Sequence, residues 1–351
     1  MNNRGWESGN KMTESVKKES LGVKAFYLLM YFLMATGAVL VMVAAQFLAG
    51  FALGLITYLA DIDFNALEGT VTFVYTLIAI PLLLLYIRAI RPKKTPICMN
   101  GKLNVAQVVF VVVLAFGMMG IVTAYLLVAS QLAEKFAPVA EQIQDYNESV
   151  DRYAVIEASK IPVFDHILNF IGVCILVPIT EELTFRVGVL DTLLKRCHPV
   201  AAVLLSGIAF GALHMQLVQI GYALIAGFFL GWVYYYTKSI KSTILMHILF
   251  NIFGSGIQTL MESGMFGDMS SAVTSFNVFT FYLEFALILP SIASFFFLRA
   301  MYKNSIKIDT RVSGGEAPAV LSTYDPVADF VPDENAPSPF VPVEDKEDEQ
   351  A

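Results

Sequence analysis

Apolar residues run along this chain in blocks far longer than a soluble helix needs, and the polar residues fall in the gaps. The first block, Ala25 to Ala60, is about 36 residues, long enough for one tilted helix with a projecting end. Gly50 and Gly54 are candidate bend points, and Asp61, Asp63 and Glu68 close the block. A second block runs from Thr70 to Ile87, broken only by Pro81, with Arg88, Arg91, Lys93 and Lys94 directly after it. A third covers Val105 to Ala129. Residues 131–163 are polar and mostly acidic and read as an amphipathic helical loop. The fourth block holds Ile167 to Leu194 and ends at Lys195-Arg196. The fifth starts at Pro199 and reaches Met215. The sixth spans Val218–Tyr236, the seventh Ser242–Leu260 and the eighth Phe276–Leu298. Each block exceeds or approaches the ~20 apolar residues that cross a bilayer. The pattern predicts an all-α polytopic membrane protein of about eight transmembrane helices around a polar intramembrane cavity.

Composition agrees. The chain is 56% hydrophobic and 15% charged over 351 residues, with a mean hydropathy of +0.64, which excludes a soluble domain. The apolar run after residues 1–24 is far too long for the core of a cleavable signal peptide. Cys98, Cys174 and Cys197 have no paired spacing and support neither a disulfide framework nor a thiolate metal site. Cys174 reads as a small core residue.

Charge sets an orientation. The segments 1–24, 88–104, 195–199, 237–241 and 299–308 carry 17 Lys and Arg, whereas the opposite loops carry Lys135, Arg152 and Lys160. Basic loops stay in the cytoplasm, so both termini are expected there, in the cell membrane. From Asp309 onward, eleven acidic residues face two basic ones. This Pro-, Glu-, Asp- and Ser-rich tail cannot build a core. It reads as disordered, and its repeated Phe-Val-Pro (330–332 and 340–342) is a candidate docking motif for a cytoplasmic partner. No basic stripe with interleaved aromatics suggests nucleic acid. Gly227 and Gly231 read as a helix-packing pair, and Tyr234, Tyr235 and Tyr236 as an interfacial aromatic belt.

The chemistry concentrates in Pro178-Ile-Thr-Glu-Glu-Leu-Thr-Phe-Arg186. Charges at bilayer depth are costly and face a protein interior or a wet cavity. Glu182 and Arg186 lie one helical turn apart on nearly the same face, an i,i+4 pair. Glu181 points about 140° away and is left as a candidate general base. Pro178 removes a backbone donor and predicts a kink or widening. Two of the four histidines also fall in apolar blocks. His214 sits in the fifth, at a depth matched to Glu181, ~20 Å from the cytoplasmic end. His247 and Asn251 share one face of the seventh.

Glu181-Glu182-x-x-x-Arg186, Phe210-x-x-x-His214 and His247-x-x-x-Asn251 resemble the three motifs of the CPBP family, the CAAX proteases and bacteriocin-processing or immunity proteins. Gly227 to Ser239 is similar to the segment preceding the third motif. The resemblance covers about residues 165–255. It implies an intramembrane endopeptidase with a cytoplasm-facing cavity, acting on a membrane-associated or prenylated peptide or protein in the bilayer. Glu181 with His214 would activate a water, His247 and Asn251 would stabilise the oxyanion, and Glu182 with Arg186 would shape the site. The chain then divides into a cytoplasmic segment (1–24), three helices and an external loop (25–164), a catalytic core (165–260), a last helix (261–303) and an acidic tail (304–351). Family members are often labelled metalloproteases, and Glu181, His214 and His247 would be the ligands of a zinc site. Without a His-Glu-x-x-His sequence or a second free carboxylate, metal-free glutamate catalysis is the preferred reading, with no cofactor. Two non-protease alternatives stand beside it. One is an immunity or scaffold protein of the same fold that binds a partner such as a sensor kinase. The other is a transporter, although no inverted repeat is visible.

Overall fold

The computed structural model describes residues 21–91, 98–150 and 161–312. The acidic tail beyond Val312, its Phe-Val-Pro repeats, and Lys93 and Lys94 lie outside them. The described residues form helices α1 (Leu21–Ala60), α2 (Glu68–Ile90), α3 (Val105–Ala133) and α4 (Ala137–Val150). There follow α5 (Val163–Leu193), α6 (Pro199–Ala212), α7 (Leu217–Thr237), α8 (Ile240–Glu262) and α9 (Ser270–Val312). No strand occurs among them.

Seven of these helices are long and apolar enough to cross a membrane, so the protein is an all-α multi-pass membrane protein. The eighth expected span, α6, is short. Its 14 residues reach only ~21 Å, less than the ~30 Å hydrocarbon layer. The helix bearing Pro81 continues through the proline. In membrane helices, neighbouring helices and side chains re-satisfy the carbonyl a proline abandons. Gly50 and Gly54 likewise lie within unbroken helix. The polar loop after α3 does contain a helix, α4. It rests on α3 and α7, where Tyr146 meets Tyr222 edge-on with ring centres 6.3 Å apart. Burial pushes the Tyr146 phenol above its ordinary value, and the Tyr222 hydroxyl partly offsets this.

Packing explains the helix pairs. α6 lies against α7 because Gly207 and Gly227 meet: a Cβ on Gly227 would stand 3.0 Å from the Gly207 Cα. The expected glycine pair is thus a packing device. α9 runs along α3 and closes that side of the bundle. At the other end of the molecule, Asp165 accepts from Gly69 N (2.8 Å), Thr70 N (2.7 Å) and Thr70 Oγ1 (2.6 Å). It caps α2 from the first turn of α5, satisfying orphan donors at the positive end of that helix.

Two expectations at the end carrying the 195–198 and 238–239 turns are corrected. Tyr234 is 0% and Tyr235 8% exposed, so they are core residues, not a lipid-facing belt. The Tyr234 hydroxyl donates to Asp191 Oδ2 at 2.9 Å. Arg91 turns inward rather than joining an interfacial basic run. It donates to Asp191 at 2.8 Å and to the Val187 carbonyl at 2.9 Å. The chain after α2 is pinned there by an isolated antiparallel bridge, Asn100 with Ser239.

Candidate active site

α5 carries the two glutamates, and its backbone is irregular on both sides of them. Gly172–Leu176 and Leu183–Leu190 are π-helical. Such widened turns are rare and recur at functional sites. The first has a readable cause. Val177 donates to Gly172, five residues back. The next bond of that pattern would run from residue 178 to the Val173 carbonyl, and Pro178 has no N–H to give. Asn251 of α8 supplies the donor instead, Nδ2 to Val173 O at 2.9 Å. The widening expected at Pro178 is therefore present, just before the proline, and it ties α5 to α8.

The expected i,i+4 pair forms. Arg186 Nε donates to Glu182 Oε2 at 2.9 Å and Nη2 to Oε1 at 3.3 Å. Both side chains are fully buried. Arg186 is also held by Ser206 of α6 (Nη1 to Oγ, 3.4 Å), whose hydroxyl donates to the Phe185 carbonyl. Its guanidinium stands 5.3 Å from the Phe210 ring centre. Glu181 has no part in this pair, and its side chain remains 17% exposed while that of Glu182 is 0%.

His247 bridges the two carboxylates. Its Nδ1 is 3.0 Å from Glu182 Oε1, and its Nε2 is 3.5 Å from Glu181 Oε2. The resemblance implied an oxyanion donor at this position; the fold places it first as a link between the glutamates. Asn251 spends one amide N–H on Val173 and keeps the second.

His214 lies in the turn after α6 rather than inside a helix, because α6 ends at Ala212. Met215 follows with φ 63°, the left-handed conformation that reverses the chain. His214 Nδ1 is 3.0 Å from the Phe210 carbonyl, a helix-end acceptor. A carbonyl cannot donate, so Nδ1 carries a proton, which in the neutral ring leaves the lone pair on Nε2. Glu181 is within electrostatic reach of both His214 and His247. Phe210 packs against Phe185, His214 and His247, with ring centres 5.1, 5.0 and 5.8 Å away. All six expected residues thus belong to one neighbourhood built from α5, α6 and α8.

Sequence reasoning missed several supports. Ser206 lies four residues before Phe210, and Thr243, beside Glu182, lies four before His247. In both cases a polar residue one turn back on the motif face was the available signal. Tyr75 of α2 and Tyr222 of α7 lie within electrostatic reach of Glu181, and nothing in their local sequence marks them. Asp191 was passed over inside an apolar block.

Glu181, His214 and His247, the ligands expected in the zinc alternative, are not assembled as a metal site. Among the described residues no group of three or more His, Cys, Asp or Glu is arranged to hold a metal ion.

The fold and this cluster define a multi-pass membrane protein with a polar site enclosed between helices. Residues 163–253 match the family model of the type II CAAX prenyl endopeptidase Rce1-like proteins. That match is consistent with a CPBP family protease; it includes all six residues and leaves α1–α4 and α9 outside. No curated protein and no solved structure matches the chain.

Proposed function

We propose that the protein is an intramembrane endopeptidase that hydrolyses a peptide bond of a membrane-associated or prenylated substrate with a water activated by Glu181. The observation that carries this reading is the unequal environment of adjacent carboxylates. Glu182 is sealed and neutralised by Arg186, whereas Glu181 keeps partial access and lies within electrostatic reach of His214. Water held between Glu181 and His214 gives a proton to Glu181 as its oxygen attacks the carbonyl carbon. The carbonyl oxygen becomes an oxyanion. Collapse of that intermediate breaks the C–N bond, and the proton on Glu181 passes to the leaving nitrogen. His247 faces both carboxylates, closely to Glu182 through Nδ1 at 3.0 Å and more loosely to Glu181 through Nε2 at 3.5 Å. The spare N–H of Asn251 is the donor for the oxyanion, and His247 Nε2, once Glu181 has taken its proton, is the second group able to turn to it.

Glu181→Gln keeps shape and hydrogen-bonding capacity but cannot take a proton. Hydrolysis by the purified protein is expected to fall at least ~10²-fold with folding intact. A folded Glu181→Gln protein that cleaves at the wild-type rate would refute the assignment. Retention of the biological effect without cleavage would favour an immunity or scaffold role.

The 17-to-3 charge bias supports placing both termini and the 195–198 and 238–239 turns in the cytoplasm. A cysteine introduced at Asn147 should then be labelled from outside sealed cells. Labelling only after the inner face is opened would reverse the orientation.

A further inference from the structure

A second polar feature lies between the catalytic helices, toward the end of the bundle that carries Val163 and Glu262. On α8 a polar residue recurs every fourth position: Thr243, His247, Asn251, Ser255 and Thr259. Each step of four turns ~40° further round an α-helix, so neighbouring members share a face although the two ends of the run do not. The π-helical turn Ile252–Gly256 lies within this run. Opposite, α5 offers His166 and Asn169. Between them is a cavity of about 30 Å³ lined by these two, Cys174, Ser255, Gly256 and Thr259. Gly256 is needed there, since a Cβ would collide with the Cys174 sulfur.

That volume is more than the ~10–15 Å³ a cavity needs to admit a water. The lining is mixed: Phe170, Val173 and Leu260 are apolar, and beside them Asn169 and Thr259 are half-buried and Ser255 is exposed, with no hydrogen bond from these three side chains to another described residue. Inside a membrane a polar side chain that opens on no partner is costly, and a recess with several such groups and room for a water holds one. The cavity also includes Val173, whose carbonyl receives Asn251. Asn251 in turn lies one turn from His247, so the lining residues lead toward Glu181.

We propose that this cavity is a water-binding site and that the Thr259–Ser255–Asn251 face passes water from that end of the bundle to Glu181. The supply role rests on the hydrolytic reading above; the binding of water does not.

Radiolytic hydroxyl footprinting of the full-length protein in ¹⁸O-labelled water tests both parts. Cys174 and Met118 are each 1% exposed, but only Cys174 lines the cavity. Cys174 is expected to take up solvent oxygen several-fold faster than Met118. Ser255→Leu with Thr259→Leu, which fill the space, should slow Cys174 to the Met118 level and lower kcat with KM unchanged. The milder pair Ser255→Ala with Thr259→Val should give a weaker form of the same change if the bulky pair unfolds the protein. Wild-type Cys174 as slow as Met118 would mean a dry cavity and overturn the proposal. Loss of Cys174 labelling with unchanged turnover would overturn the supply role. A wild-type protein that cleaves nothing would end the supply role together with the protease reading, while the footprint would still decide whether the cavity holds water.

Discussion

Two buried ion pairs sit on the same helix and teach different things. Glu182–Arg186 is internal to α5, four residues apart and 0% exposed on both sides. Asp191–Arg91 joins α5 to the end of α2 across 100 residues of sequence, with side-chain exposures of 0% and 3%. The first pair lies beside a partly open carboxylate and an imidazole. The second lies beside a tyrosine hydroxyl and a backbone carbonyl, among core residues. Both solve the problem of a charge in an apolar interior by pairing. Only the first leaves a neighbour, Glu181, free for chemistry. Burial and charge alone therefore do not mark a catalytic group. What separates the two places is the partly exposed carboxylate next to the neutralised one.

The largest effect expected is from Arg186→Ala. It removes the bidentate partner of Glu182 and leaves that buried carboxylate to His247 and Thr243, and breaking such a pair costs about 3–5 kcal/mol. Thermal unfolding in detergent should show that loss together with loss of activity. A stable, active Arg186→Ala protein would dissolve the contrast between Glu181 and Glu182.

Arg91→Ala should cost less, about 2–3 kcal/mol, because the Tyr234 hydroxyl still donates to Asp191 and a hydrogen bond to a charged group is worth roughly 1.5–3 kcal/mol. Replacing both Arg91 and Asp191 with leucine should return stability to within about 1 kcal/mol of wild type, since a buried pair exchanged for apolar residues is often neutral. The leucine pair should also retain cleavage. Failure to cleave in that folded double variant would show that the second pair is tied to the site after all.

The smallest effect sharpens the first pair. Ser206→Ala removes the hydroxyl that accepts from Arg186 and donates to the Phe185 carbonyl, at a cost of about 1 kcal/mol. Its expected mark is a slightly lower melting temperature with activity largely kept. A drop in activity as large as that of Glu181→Gln would mean that Arg186 is placed by α6 rather than by its own helix.

The helical class, most span positions and the Glu182–Arg186 pair were legible because each depends on residues within a turn or a block. A run of apolar residues must satisfy its backbone internally in lipid, so it becomes a helix wherever it packs. An i,i+4 spacing puts two side chains together on any helix. The widening at Pro178 was legible for the same local reason.

The remaining features needed partners from elsewhere in the chain. Asp191 found Arg91, Tyr234 left the lipid interface for that carboxylate, and Asn251 found the carbonyl that Pro178 orphaned. His247 came to lie between two glutamates 65 or more residues before it. α6 stopped short and put His214 in a turn, where the Phe210 carbonyl chose its tautomer. Local periodicity determines what each helix is and which residues share its face. Which faces meet is decided by the packing of nine helices among the described residues, because each buried donor, acceptor and charge must find its complement where the chain happens to bring one.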